Sequence, residues 1–132
     1  MLVLISVKPK FSYTGIRVKN LDESVKFYTK FLAMKEAGRS EIEESRGQAV
    51  QLVSEDGGPT LELNYYAKGS KFASEYAVGE GIDHLAFQVG DLGKFKAEAA
   101  KAGYPLILEM KSGGSQWAYI QDPNGIWLEI FS

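Results

Sequence analysis

Four side chains able to hold a metal or move a proton occupy matched places in this chain. His84, the only histidine, heads a short run of alternating apolar residues, and Tyr13 heads another. Glu62 and Glu129 each sit inside an apolar-Glu-apolar triplet, Leu61-Glu62-Leu63 and Leu128-Glu129-Ile130. Successive side chains of a strand point to opposite faces, so each glutamate is aimed away from its apolar neighbours. One imidazole and two carboxylates, with a phenol or water beside them, suit one divalent ion of intermediate character: Zn, Ni, Co, Mn or Fe. Taken singly, each has a plainer reading. A lone histidine at the head of an apolar strand is more often structural, and a strand glutamate usually faces solvent. Their equivalence joins them, because unrelated surface positions have no reason to match.

That equivalence comes from an internal repeat, the first thing to look for in a chain of this kind. Tyr13-Thr14-Gly15-Ile16-Arg17-Val18-Lys19-Asn20-Leu21 lies over His84-Leu85-Ala86-Phe87-Gln88-Val89-Gly90-Asp91-Leu92 at a constant shift of 71 residues (84 against 13). Each run is a short strand that meets Asn20 or Asp91, both good helix N-caps. The helices are expected from Leu21 to about Phe31 and from Leu92 to about Ala102. Val25, Tyr28 and Leu32, then Phe95 and Ala99, fall near helical spacing, and Gly103 closes the second helix. The halves match again at their ends, where Asp56-Gly57-Gly58-Pro59 and Asp122-Pro123-Asn124-Gly125 turn into the two Glu-bearing strands. Between helix and last strand there is room for two strands in each half, about 34–44 and 47–55, then 104–110 and 114–121.

The order β-α-β-β-β therefore occurs twice, about 13–66 and 82–131, joined by a linker of about 67–81 with one irregular helical turn around Phe72 to Tyr76. The expected class is α+β: two tandem βαβββ repeats whose curved mixed sheets surround a cleft, with helices outside. The 132 residues allow one domain spanning 1–132. A formal net charge of −2, with scattered Lys and Arg, leaves no electrostatic footprint for nucleic acid or an anionic membrane. The absence of cysteine excludes disulfides, thiolate metal sites and cysteine nucleophiles, and fits a cytoplasmic location. The apolar opening Met1 to Val7 lacks the basic n-region and the small-residue cleavage site expected of a signal sequence, and its seven residues are too few for a span. It reads as an extra strand or arm at a subunit contact, and a homodimer is expected.

Taken together, the Tyr13 strand with Leu21-Asp22-Glu23-Ser24-Val25-Lys26-Phe27-Tyr28, the His84 strand, both Glu strands and the Asp122-Pro123-Asn124-Gly125 turn resemble the glyoxalase/bleomycin-resistance/dioxygenase (vicinal oxygen chelate) superfamily. The glyoxalase I branch is the nearest, and the likeness runs from about Tyr13 to Ile130. The resemblance implies a metal-dependent lyase or isomerase acting on a small α-oxo or hydroxy compound, including a thiol adduct such as a glutathione hemithioacetal. Glu62, His84 and Glu129 would be the metal ligands, with one of the two glutamates as the base. Tyr13 would stand at the fourth ligand position, where that branch usually has histidine, and a neutral phenol is the weaker ligand. Arg17 and Lys111 would contact substrate. The asparagine usual a few residues after the first glutamate is replaced by Tyr66. The alternatives are a metal-free drug-binding protein of the same superfamily, and further off an epimerase or a dioxygenase. Trp117, Tyr119 and Trp127 would line an apolar substrate pocket. Plainer readings stand beside these: Arg17 as an ion-pair partner on a sheet face, Lys111 as a solvated loop lysine, and the three aromatics as packing between sheet and helix, the default for such alternation. Glu41 to Glu44 reads as an exposed charged edge.

Overall fold

A computed structural model describes residues 13–43, 46–70, 73–78, 82, 84–112 and 114–132. The first repeat contributes β1 (Tyr13–Arg17), α1 (Leu21–Lys26), β2 (Lys35–Ile42), β3 (Gly47–Val53) and β4 (Thr60–Tyr65). The second contributes β5 (Leu85–Gln88), α2 (Leu92–Ala102), β6 (Leu108–Ser112), β7 (Ser115–Gln121) and β8 (Trp127–Phe131). Each repeat makes its own four-stranded sheet, ordered β1-β4-β3-β2 and β5-β8-β7-β6. Within each, the first strand pairs parallel with the last and the others run antiparallel. These are two βαβββ repeats with mixed sheets and outer helices, as the sequence pattern leads one to expect.

The helices start where their caps require. Asn20 Oδ1 accepts from the Glu23 amide at 3.0 Å, and Asp91 Oδ1 accepts from the Lys94 amide at 3.0 Å. Gly103 ends α2 with φ of 90°, the left-handed conformation glycine adopts freely. After Lys26 the first helix widens into a π-helical turn, Phe27–Phe31, so the expected helix is one span of two geometries. The described linker residues, 67–70 and 73–78, form no helix, and the expected helical turn around Phe72 to Tyr76 lies partly outside the described residues. The expected arm at Met1 to Val7 lies outside the described residues.

Alternation sorts each strand between core and open face. Ile16, Val50, Leu52, Leu61 and Leu63 from the first sheet, with Ile120, Leu128 and Ile130 from the second, are buried with Phe27, Tyr28, Phe95 and Ala99 in one apolar cluster. Burying each such aliphatic side chain contributes about 1.5–3 kcal/mol. The helices meet through rings: Phe27 and Phe31 lie 4.6 and 5.7 Å from Tyr104, and Phe31 lies 5.7 Å from Phe95.

A buried polar knot ties the repeats together. The Asp122 carboxylate accepts from the Tyr28 hydroxyl at 2.8 Å, the Asn124 amide nitrogen at 2.8 Å, the Asn124 side chain at 2.9 Å and the Ile126 amide at 2.9 Å. Asn124 also donates to Ser24 Oγ and accepts from the Lys19 amide, both in the first repeat. The turn before β8 is thereby fixed to the first helix, and with it the strand that carries Glu129.

Candidate functional site

The faces turned away from the core carry the candidate residues, and strand register says which share a face. On the first sheet Tyr13, Gly15 and Arg17 pair with Thr60, Glu62 and Asn64, while Gln51 lies opposite Glu62 on β3. On the second, Ala86 and Tyr119 flank Glu129, and Trp127, Phe131 and Trp117 follow the same alternation. His84, two residues before Ala86, occupies the place that Tyr13 has before Gly15. The repeat thus sets the same frame twice: a small residue on one side of each glutamate, a larger polar one on the other, and Tyr or His at the strand head.

The neighbours within that frame differ. Gln51 Nε2 donates to Glu62 Oε2 at 2.7 Å. His84 Nε2 lies 3.4 Å from Glu129 Oε2, and both side chains are partly exposed. The His84 ring meets Tyr119 edge-on at 5.8 Å, and Tyr119 lies 5.5 Å from Trp127. Leu108, Met110 and Trp127 are 42%, 41% and 39% exposed. Trp117, Tyr119 and Trp127 therefore form part of the open face and do not pack between sheet and helix. Alternation carried that information, but apolar aromatics default to the core when no register is known.

The structure corrects the metal expectation. Among the described residues no three His, Cys, Asp or Glu side chains gather where they could hold an ion. The physical reason is that each repeat closes its own sheet, so Glu62 and the His84–Glu129 pair sit on separate sheets, each with a partner from that sheet. Tyr13 is 49% exposed and stays with the first sheet. The expected divalent ion, Zn, Ni, Co, Mn or Fe, held by Glu62, His84, Glu129 and Tyr13, does not fit this arrangement.

Arg17 lies at the end of β1 on the face of Glu62 and makes no ion pair with any described carboxylate. Its Nη1 donates to Ser74 Oγ at 3.1 Å and its Nη2 to the Ser74 carbonyl at 2.6 Å. Tyr66 and Tyr76 stand near the guanidinium, with ring centroids at 5.9 and 5.6 Å. Burial pushes the Tyr76 phenol above its ordinary value, Asp122 adds to the rise and Arg17 opposes it. Lys111 lies on β6 opposite Gln116, exposed, while its neighbour Met110 pairs with Trp117 on the open face. Lys111 is thus directed to the other side of the sheet from Glu129. Gln51, Ser74 and Tyr119 are absent from the sequence-based set. Gln51 and Tyr119 had a usable signal, their matched places beside the two glutamates, whereas Ser74 had none.

Residues 10–130 match the model of the Glyoxalase/Bleomycin resistance protein/Dioxygenase superfamily. The chain belongs to that superfamily. Its members bind small molecules and include enzymes, and this member shares 30% identity over 124 residues with a probable lactoylglutathione lyase of Vibrio parahaemolyticus, covering 89% of this chain and 86% of that protein. It is 28% identical over 128 residues to a putative lactoylglutathione lyase of Brassica oleracea var. gemmifera, covering 93% of this chain but 44% of that longer protein. The chain thus spans less than half the length of that plant relative. Among solved structures it resembles the trypanothione-dependent glyoxalase I of Leishmania major, with a TM-score of 0.77 and 29% identity over 95% of this chain and 87% of that one. No helix among the described residues is long and apolar enough to cross a membrane.

Proposed function

We propose that this superfamily member is a glyoxalase-type isomerase (lactoylglutathione-lyase-like) acting on a thiol adduct of a small α-oxo compound, with Glu129 as the proton shuttle. The observation that supports it is the His84–Glu129 pair, open to solvent on a face whose aromatic residues give an apolar group somewhere to rest. In a hemithioacetal the Glu129 carboxylate would take the proton from the carbon bearing sulfur. The electron pair moves into an enediolate, the hydroxyl proton passes from the first oxygen to the second, and the carboxylate returns its proton to the adjacent carbon, giving an α-hydroxy thioester with no oxidant consumed. His84 would orient the carboxylate, the second face would supply Glu62, and Arg17 would hold an anionic end of the thiol carrier. The lyase names of the Vibrio and Brassica relatives support this chemistry by likeness.

The same reading takes a second copy of the chain as the partner that covers these faces, since exposed Leu108, Met110 and Trp127 cluster there. Sedimentation velocity at micromolar concentration is expected to give a dimer, and a monomer would contradict it. Turnover is tested with methylglyoxal and glutathione, following thioester formation in wild type and Glu129→Gln. Activity lost in the variant supports the reading. A metal-free binding module is the second reading, favoured by the Tyr119–Trp127 shelf and the lack of a gathered donor set. It would show ligand-dependent tryptophan fluorescence without turnover.

A further inference from the structure

The anion-holding role given to Arg17 above leaves a question about what the guanidinium does before a ligand arrives. A guanidinium edge recognises a carboxylate through two parallel N–H···O bonds. In this structure two oxygens already sit at that edge, Ser74 Oγ on Nη1 and the Ser74 carbonyl on Nη2. Tyr66 and Tyr76 add their rings to the same group, and Lys19 Nζ lies 5.5 Å from the Tyr76 ring centroid. The surroundings form a pocket of about 500 Å³ in which Arg17, Lys19 and Lys68 face one carboxylate, Glu75. The cations outnumber the acid, yet the arginine is paired only with neutral oxygens.

We infer that Ser74 is a placeholder for the anionic group of the ligand, and that the linker segment 73–78 is a strap which a carboxylate must displace from Arg17. The two serine oxygens imitate the two oxygens of a carboxylate without its charge. They keep the fork oriented while remaining the weaker partner, because hydrogen bonds between two ionised groups exceed those to neutral acceptors. Ser74 would then set specificity. A ligand gains only the difference between its own pairing with Arg17 and the pairing it replaces, so weakly held neutral acceptors are refused and carboxylates are accepted. This inference rests on the reading of Arg17 under the proposed function, but its first test needs no ligand.

Amide hydrogen exchange of the full chain, read at residues 73–78, tests the strap directly. Arg17→Lys keeps the charge and loses the fork, so exchange there should quicken roughly tenfold or more. Glutathione is the probe for displacement. At saturation it should raise exchange at 73–78 in wild type, and Ser74→Ala should bind it roughly two- to tenfold more tightly by calorimetry, one competing bond having been removed. Unchanged exchange in Arg17→Lys overturns the strap. Slower exchange at 73–78 with glutathione bound, or equal affinity in wild type and Ser74→Ala, also overturns it and leaves the site's reading standing. No glutathione binding by either chain overturns the reading of Arg17 as an anion holder, and the competing role of Ser74 with it.

Discussion

Replacing Tyr28 with Phe removes one oxygen atom from the centre of the buried knot and nothing else. Tyr28 is fully buried, and its hydroxyl donates to Asp122 Oδ2 at 2.8 Å. A hydrogen bond to a charged group contributes about 1.5–3 kcal/mol. The lower part of that range applies, since Asp122 Oδ2 keeps the Asn124 side-chain donor at 2.9 Å and Oδ1 keeps two backbone amides. The expected loss is about 2 kcal/mol. Unfolding entropy near the melting point is about 2.1 cal/mol/K per residue, which for 132 residues gives about 0.28 kcal/mol/K. The melting temperature of Tyr28→Phe should therefore fall by about 7 °C. Urea melts should show a lower midpoint at unchanged slope, because no apolar surface is gained or lost. Tyr104→Phe is the control: that ring is only partly buried and its hydroxyl has no hydrogen-bond partner among the described residues. It should change stability by no more than about 0.5 kcal/mol. A drop of less than 1–2 °C (roughly 0.5 kcal/mol) in Tyr28→Phe, or an equal drop in the control, would refute the claim that the knot joins the repeats.

The same phenol predicts an alkaline limit. Burial first, then Asp122, pushes the Tyr28 pKa well above 10, so the native state keeps a proton that the unfolded state releases from about pH 10 upward. The unfolded state then binds fewer protons, and stability falls as pH rises, by up to about 1.4 kcal/mol per unit from this group. Tyr28→Phe should flatten that slope in melts taken between neutral pH and the alkaline range. Glu129→Gln keeps shape and removes the proton acceptor, so turnover of the hemithioacetal should fall by about 10²–10⁴-fold. Its melting temperature should move little, since the side chain is partly exposed. Adjacent positions on β8 should separate fold from site. Leu128→Ala is expected to cost about 2–5 kcal/mol as a core deletion, while Trp127→Ala, on the exposed side, should act chiefly on ligand affinity measured by titration.

Much of the architecture was legible because the repeat wrote each element twice. Asn20 and Asp91 marked both helix starts, Gly103 marked one helix end, and the two Asp-led turns marked the final strands. The features that were not legible depend on contacts distant in sequence. The π-helical turn at Phe27–Phe31 has no local signature distinct from a helix. Arg17 was expected to contact substrate, with an ion pair on a sheet face as the plainer reading, and the partner the fold gives it is a linker serine 57 residues away. Of the two readings of Trp117, Tyr119 and Trp127, the default of core packing failed, because these residue types usually fill cores while register turns them to the open face. The metal expectation failed on the same ground: matched positions within each repeat do not bring the two repeats' donors to one point.

That failure also bears on which glutamate the proposed reaction would use. Duplication places Glu62 and Glu129 at equivalent positions, so their location cannot distinguish them, and the difference must come from what stands beside each. Glu62 receives a short amide bond from Gln51, a group that donates and cannot exchange a proton at ordinary pH. Glu129 stands beside His84, whose side chain can both give and accept a proton. The frame supplies a small residue, Gly15 or Ala86, next to either carboxylate, and over Gly15 the Asn64 side-chain nitrogen already occupies the space a Cβ would take. Among the described residues, the second glutamate is the one that stands beside an imidazole and near the Tyr119 and Trp127 rings. Gln51→His should make the first site resemble the second in its hydrogen bonding, while His84→Gln should abolish the proposed turnover of the hemithioacetal and leave the fold intact. Equal turnover in wild type and His84→Gln would show that the imidazole beside Glu129 has no part in the reaction.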